Sequence, residues 1–160
     1  VALFQEDPMS TVESRLAALG HTLGTPPRPA ANYVPTTRAG NLLFVAGQIP
    51  TGPGGPEFIG KLGAGIDVAT GQAAAARCAL AILAQAKAAG VDLDRARLVK
   101  VVGFVNSAPD FTDVPKVING ASDLFVAVLG EAGRHARSAV GVATLPFGVA
   151  VEVEAIFEVA

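Results

Sequence analysis

Arg137, Glu152, Glu154 and Glu158 are the residues whose types and spacing hold the most chemistry in this chain. Two β-rich stretches, 137–144 and 149–159, flank Leu145-Pro146-Phe147-Gly148, a pattern that predicts strands joined by a four-residue turn. Such a hairpin sets Thr144 against Val149 and Arg137 roughly opposite Ile156. Side chains alternate along a strand, so Glu152, Glu154 and Glu158 share one face and Arg137 points the same way. Two chemistries suit that pattern. One is a cross-strand ion pair between Arg137 and Glu154 or Glu158, which contributes little when exposed. The other is a planar guanidinium fork that grips a carboxylate ligand while a glutamate orients water. Spacing alone favours the ion pair and leaves both open.

Other familiar patterns break down. Gly60-Lys61-Leu62 lacks the serine or threonine of a phosphate-binding loop, and Gly63-Ala64-Gly65-Ile66-Asp67-Val68 departs from the dinucleotide fingerprint at its third glycine. His21 and His135 have no Cys, Asp or Glu clustered at ligand spacing, so no metal is expected. Cys78 falls among alanines and reads as a buried, inert thiol.

The elements that must carry these residues follow from capping and periodicity. Ser10-Thr11-Val12-Glu13 fits a capping box and predicts a short helix ending near Gly20. Pro26, Pro27 and Pro29 make a stiff connection. Strands are predicted over 32–37 and 41–46, split by Arg38-Ala39-Gly40. Six of the fifteen residues from 51 to 65 are glycine, which predicts one long loop through 51–66. Asp67 caps a predicted helix over 68–89, stopped by Gly90. A strand over 97–105 follows, and then a helix capped by Asp110. In that helix Val114, Val117, Ala121, Leu124, Phe125 and Val128 repeat at helical spacing, and Pro115 sits in the first turn. The order is a short helix and then ββαβαββ, an α/β sandwich with one mixed sheet and two long helices on one face.

Helices can cover only one side of that sheet, yet the strands are apolar on both. Val99, Val101 and Val105 alternate with Leu98, Val102 and Phe104; Ala139, Ala143 and Leu145 alternate with Val140 and Val142. The uncovered face is therefore expected to pack on another subunit.

Composition sets the outer bounds. The chain has 160 residues, 51% apolar and only 16% charged against a typical charged share of about 25%. A disordered chain or a disulfide scaffold is excluded by those values and by the single cysteine. The net charge of −2 offers no basic stripe for nucleic acid, and no apolar run approaches the roughly 18 residues of a membrane span. No secretory signal pattern appears, so a cytoplasmic location is expected. Val1-Ala2-Leu3-Phe4-Gln5 resembles a tag-removal protease site, so residues 1–8 are expected to be a cloning remnant and 9–160 one domain.

Three separated segments carry a family resemblance. Gly40-Asn41-Leu42-Leu43-Phe44-Val45-Ala46-Gly47-Gln48-Ile49-Pro50 resembles the strand and Gly-Gln-Ile-Pro turn of the Rid (YjgF-like) family. Arg137-Ser138-Ala139-Val140-Gly141-Val142-Ala143-Thr144-Leu145-Pro146 is similar to its Arg-Ser-x-Val-x-Val-x-x-Leu-Pro signature, and Val151-Glu152-Val153-Glu154-Ala155-Ile156 to its terminal strand. The resemblance implies a chorismate-mutase-like α/β fold, a homotrimer with sites in clefts between subunits, and cofactor-independent hydrolysis of enamines and imines such as 2-aminoacrylate to 2-oxo acids and ammonia. Carried across, Arg137 binds the substrate carboxylate and Glu152 positions the attacking water. Tyr33 lines the pocket, and Ala46, Gly47, Asn119, Ser138 and Ala139 complete the substrate contacts. Ala46 stands where the family often has serine, and Ala139 where cysteine is common. With the N-terminal helix and the 51–66 loop, these departures resemble a longer branch whose substrate is open. A non-catalytic trimer that binds or senses small carboxylates is the alternative. RNA cleavage, the family's older label, is disfavoured by the missing basic stripe. The expected partners are thus a small carboxylate or imino acid and further copies of the chain, with neither nucleic acid nor membrane.

Overall fold

The computed structural model describes residues 10–26, 28–29 and 31–160. The expected remnant at 1–8 lies outside them. Helix α1 (Thr11–Ala18) opens at Ser10, whose side chain accepts from the Glu13 amide; this is one half of the expected capping box, and the Glu13 carboxylate pairs with Lys87 instead of returning to Ser10. Strands β1 (Thr36–Ala39) and β2 (Leu42–Gln48) form a hairpin that begins later than expected, leaving Tyr33 in the bend before β1.

The 51–66 segment is more ordered than a single loop. It folds into two small pairs, β3 (Thr51–Gly52) with β4 (Gly55–Pro56) and β5 (Lys61–Leu62) with β6 (Gly65–Ile66). Leu62 is fully buried, and Asn106 Nδ2 donates to the carbonyls of Gly60, Gly148 and Val149. Lys61 Nζ donates to Asn106 Oδ1 and to the Ala143 carbonyl. The segment is thereby pinned to the chain between the last two strands.

Helix α2 (Val68–Ala88) is capped by Asp67, which accepts from the Thr70 amide at 2.8 Å, and ends before Gly90. Strand β7 (Arg97–Asn106) leads to helix α3 (Val114–Leu129). The expected cap Asp110 falls in a turn instead. Asp113 occupies the cap position without a side-chain bond, because Pro115 fixes the first helical turn three residues later than Asp110 would set it. Strands β8 (Ala136–Val142) and β9 (Val151–Glu158) follow.

The sheet order is β1-β2-β9-β7-β8. β8 runs parallel to β7 at one edge, and β9 lies antiparallel between β2 and β7. The expected β8–β9 hairpin is therefore absent. β7, α3 and β8 form a parallel crossover unit, and β9 passes to the far side of β7. This arrangement gives β9 the sheet centre, where Val151, Val153, Ala155 and Phe157 are all buried. α2 and α3 pack together on that face, with Phe125, Ile118, Ile82 and Leu83 fully buried between helices and sheet.

Among the described residues no helix covers the opposite face. Phe44 and Val140 are exposed there, and Val102, Phe104 and Ile156 are only half-buried. An irregularity between Leu98 and Lys100 shifts the alternation in β7, so Leu98 joins Val101 and Val105 in the core rather than Val102 and Phe104. A bare face remains, apolar at Phe44, Val102, Phe104, Val140 and Ile156 and crossed by the glutamates of β9. Among the described residues no helix is long and apolar enough to cross a membrane.

Candidate functional site

Strand order decides where Arg137 points. Arg137 is level with Val101, and Val101 with Ala155. Val101 and Ala155 are buried on the helix-covered face, so Arg137 lies on that face too. Glu152, Glu154 and Glu158 alternate with the core positions of β9 and lie on the bare face. The expected sharing of one face is corrected: Arg137 and Glu152 occupy opposite faces of the sheet in one chain. A hairpin register would place Arg137 opposite Ile156; inserting β7 places it level with Ala155, and a shift of one residue flips the face. The ion pair between Arg137 and Glu154 or Glu158 is absent as well. Glu158 instead lies 3.3 Å from Arg97.

Arg137 is held by α3. Pro115, Asn119 and Ser122 follow at helical spacing along one side of that helix. Arg137 Nη1 donates to Asn119 Oδ1 at 2.8 Å and to Ser122 Oγ at 3.2 Å, and Nη2 donates to the Pro115 carbonyl at 3.4 Å. Of the five guanidinium N–H donors, Nε–H and the second Nη2–H have no partner among the described residues. These two form the side-on edge of the fork, which matches a carboxylate. Arg137 and Asn119 line an open depression of about 690 Å³.

Glu152 belongs to a second place. A Cβ built on Gly47 would stand 3.0 Å from Glu152 Cδ and would overlap its carboxylate oxygen. Glycine is needed here for close approach, since the carboxyl group lies directly on the Gly47 backbone. Burial, followed by the like charge of Glu154, pushes the Glu152 carboxyl above the ordinary glutamate range. Gly47 and Tyr33 line a cavity of about 240 Å³ together with Phe147 and Arg28.

The irregularity that re-aims this backbone is held by Gln48. The pairing of β2 with β9 shifts between Val45 and Gln48, and Gln48 Nε2 donates to the carbonyls of Ala46 and Gly47. Gln85 of α2 in turn donates to Gln48 Oε1 at 3.3 Å. Ala46 lies beyond, in a depression of about 410 Å³ on the bare face, beside Phe44, Lys100 and Glu154. Ser138 is exposed on that face, level with Val102 and Glu154. Ala139 turns inward and packs on the core.

The named residues thus fall into groups. Arg137 joins Asn119, while Glu152 lies against Gly47, which shares a cavity with Tyr33. Ser138 and Ala46 sit on the bare face, and Ala139 is on the inner one. Gln48, Ser122 and His135 were not singled out for the site by their sequence positions. Ser122 stands three residues from Asn119 on α3, which also carries Lys116 and Asp123, and Gln48 stands in the Gly-Gln-Ile-Pro turn; those are the signals that point to these two. Cys78 is fully buried, and that burial pushes its thiol far above the ordinary range.

The architecture is that of a known class of α/β proteins. Residues 24–159 match the family model described as endoribonuclease L-PSP, and the chain belongs to that family, the Rid or YjgF-like proteins. Protein TCP17 of Trypanosoma cruzi is 52% identical over 149 residues, covering 92% of this chain and 93% of that one. The protein Atu1372 of Agrobacterium tumefaciens, solved with unknown function, superposes with a TM-score of 0.88 at 51% identity over 94% of this chain and 93% of its own. RidA from the Antarctic bacterium Psychrobacter superposes with a TM-score of 0.60 at 30% identity, over 84% of this chain and 94% of its own.

Proposed function

We propose that this protein hydrolyses reactive imines and enamines of the 2-aminoacrylate type to 2-oxo acids and ammonia, in clefts between the subunits of a homotrimer. The observation that carries the reading is the Arg137 fork: Nη1 is anchored by Asn119 and Ser122 and Nη2 reaches the Pro115 carbonyl at 3.4 Å, while Nε–H and one Nη2–H are left without a partner among the described residues, beside an open depression. An arginine used for a surface ion pair has no need of such an anchor, and a bidentate carboxylate ligand does.

Glu152 lies on the other face of its own sheet, so a second copy supplies it. The bare face, with Phe44, Val140, Val102 and Ile156, is the surface on which copies pack. In the assembled cleft Arg137 fixes the substrate carboxylate, and with it the electrophilic imine carbon. Glu152 of the partner subunit takes a proton from water as the oxygen attacks that carbon. The resulting carbinolamine collapses, the C–N bond breaks, and ammonia leaves with a proton. One imine and one water become one 2-oxo acid and one ammonia. The raised proton affinity of Glu152 suits a group that must accept a proton and give it back.

The test is release of pyruvate from 2-aminoacrylate generated in situ. Purified protein is expected to accelerate it, and Arg137→Ala to remove the acceleration. Wild-type rates no faster than buffer across several imino acids overturn the reading. Saturable 2-oxo acid binding without turnover would place the protein with the carboxylate-binding alternative.

A further inference from the structure

The anchor of Arg137 continues inward to a histidine. Ser122 Oγ, which accepts from Arg137 Nη1, lies 2.9 Å from His135 Nε2, and His135 Nδ1 lies 2.7 Å from the Gly133 carbonyl oxygen. A carbonyl only accepts, so Nδ1 carries the proton and Nε2 of the neutral ring is an acceptor. Ser122 therefore gives its hydroxyl hydrogen to His135 and presents a lone pair to Arg137. The ring is held from the side by Phe125 in an edge-to-face contact, with centroids 6.0 Å apart. From the Gly133 carbonyl to the guanidinium, every donor faces an acceptor in one direction.

The surroundings favour the neutral ring. Burial and then the Arg137 charge push His135 below the ordinary histidine range, against the pull of the Gly133 carbonyl. Asp123 of α3 and Arg134 line the same depression, and Arg134 pairs with Glu131 at 3.3 Å. Of these charges, that of Arg137 is the one that acts on the ring.

We propose that His135 is a positioning residue for Arg137, acting through Ser122, and that the charge on its ring is coupled to carboxylate occupancy of the guanidinium. The inference rests on the carboxylate reading given above. The neutral ring holds the Ser122 hydroxyl in the orientation that locks Nη1, and so keeps the Nε–Nη2 edge aimed outward. A proton on Nε2 turns that acceptor into a donor to the second lone pair of Ser122 Oγ, which keeps its other lone pair for Nη1, and sets a second cation beside Arg137. A bound carboxylate offsets the repulsion. Ligand binding therefore raises the proton affinity of His135, and by reciprocity the protonated ring binds the ligand more tightly.

Pyruvate titrations of wild type, Arg137→Ala, His135→Gln and His135→Leu test this, with the His135 ring followed by NMR. Gln keeps an acceptor for Ser122 but cannot titrate; Leu removes the acceptor. Near pH 8, His135→Leu is expected to weaken pyruvate binding about fivefold and His135→Gln less than about twofold. From about pH 8 to about pH 5, wild type should gain about threefold in affinity relative to His135→Gln, the coupling of unit charges separated by a partly hydrated site. Saturating pyruvate should raise the titration midpoint of the ring, identified as the signal missing in His135→Gln. If pyruvate binds through Arg137 with no gain relative to His135→Gln and no movement of the ring, the His135 inference is wrong and the carboxylate site stands. If wild type does not bind pyruvate, or Arg137→Ala binds it equally, both fall. Should His135→Leu not fold, Ser122→Ala carries the positioning arm, with wild-type affinity in that variant overturning it.

Discussion

Replacing Gly47 by alanine puts a methyl carbon 3.0 Å from Glu152 Cδ and 3.3 Å from Cγ, and on top of the carboxylate oxygen. Ordinary contact begins near 3.4 Å, so the carboxyl group must swing away. The backbone need not yield, since the obstructing atoms are the far end of a flexible side chain. A displacement of roughly 1 Å at a reacting group is enough to cost about 100-fold in rate. We therefore expect Gly47→Ala to lower kcat/KM for 2-aminoacrylate by about two orders of magnitude. Pyruvate binding should change less than about threefold, because Arg137 and its anchors lie on the other face of the sheet and α3 is untouched. Thermal unfolding should move only slightly, since Glu152 is half-buried and can relocate toward solvent. Steady-state deamination, pyruvate calorimetry and a melting curve on one preparation separate the three quantities. Wild-type kcat/KM in Gly47→Ala would refute the assignment of water positioning to Glu152. Equal loss of binding and turnover would refute the division of labour between the two groups.

Two further outcomes follow from the packing and from proton linkage. Gly120 is where α3 meets α2: a Cβ there would stand 2.7 Å from both C and Cα of Gln72, backbone atoms that cannot rotate aside, so Gly120→Ala should lower stability by about 1–3 kcal/mol in denaturant unfolding. Wild-type stability there would mean the helices separate more easily than their packing implies. Glu152 binds its proton more tightly folded than unfolded, so its favourable contribution to stability is complete below the unfolded value near 4.5 and is lost as pH rises through the higher folded value. Glu152→Gln should accordingly gain stability over wild type from acid to neutral pH, while the acid limb of the deamination profile, set by ionisation of Glu152 to the base form, lies above the ordinary glutamate range. A pH-independent stability difference between the two proteins would contradict the burial of that carboxyl.

Much of the molecule is legible in local pattern. Asp67 followed by an alanine-rich run and Gly90 marks α2 to within a residue, because caps and stops act over a single turn. The Ser10 cap and the alternation of Val151, Val153, Ala155 and Phe157 against Glu152, Glu154 and Glu158 are equally local, and both match the folded chain. Asp110 misleads because cap chemistry is common in turns, and the position of Pro115 decided between two aspartates. The glycines of 51–66 look like slack, yet Leu62 and Lys61 anchor that segment to partners far along the chain.

The sequence by itself therefore determined the order of the three helices and the main-sheet strands, which side of β9 is apolar, and membership of the family through Gly-Gln-Ile-Pro and Arg-Ser-x-Val-x-Val-x-x-Leu-Pro. It also singled out Arg137 and Glu152. Only the tertiary structure decided that they stand on opposite faces and that Arg137 is braced by Asn119, Ser122 and, through Ser122, His135. The reason is physical: periodicity and capping are set by neighbours within a few residues, whereas strand order is set by competition among distant segments for the buried centre of the sheet. β9 took that place between β2 and β7, and every face beyond it was counted from there.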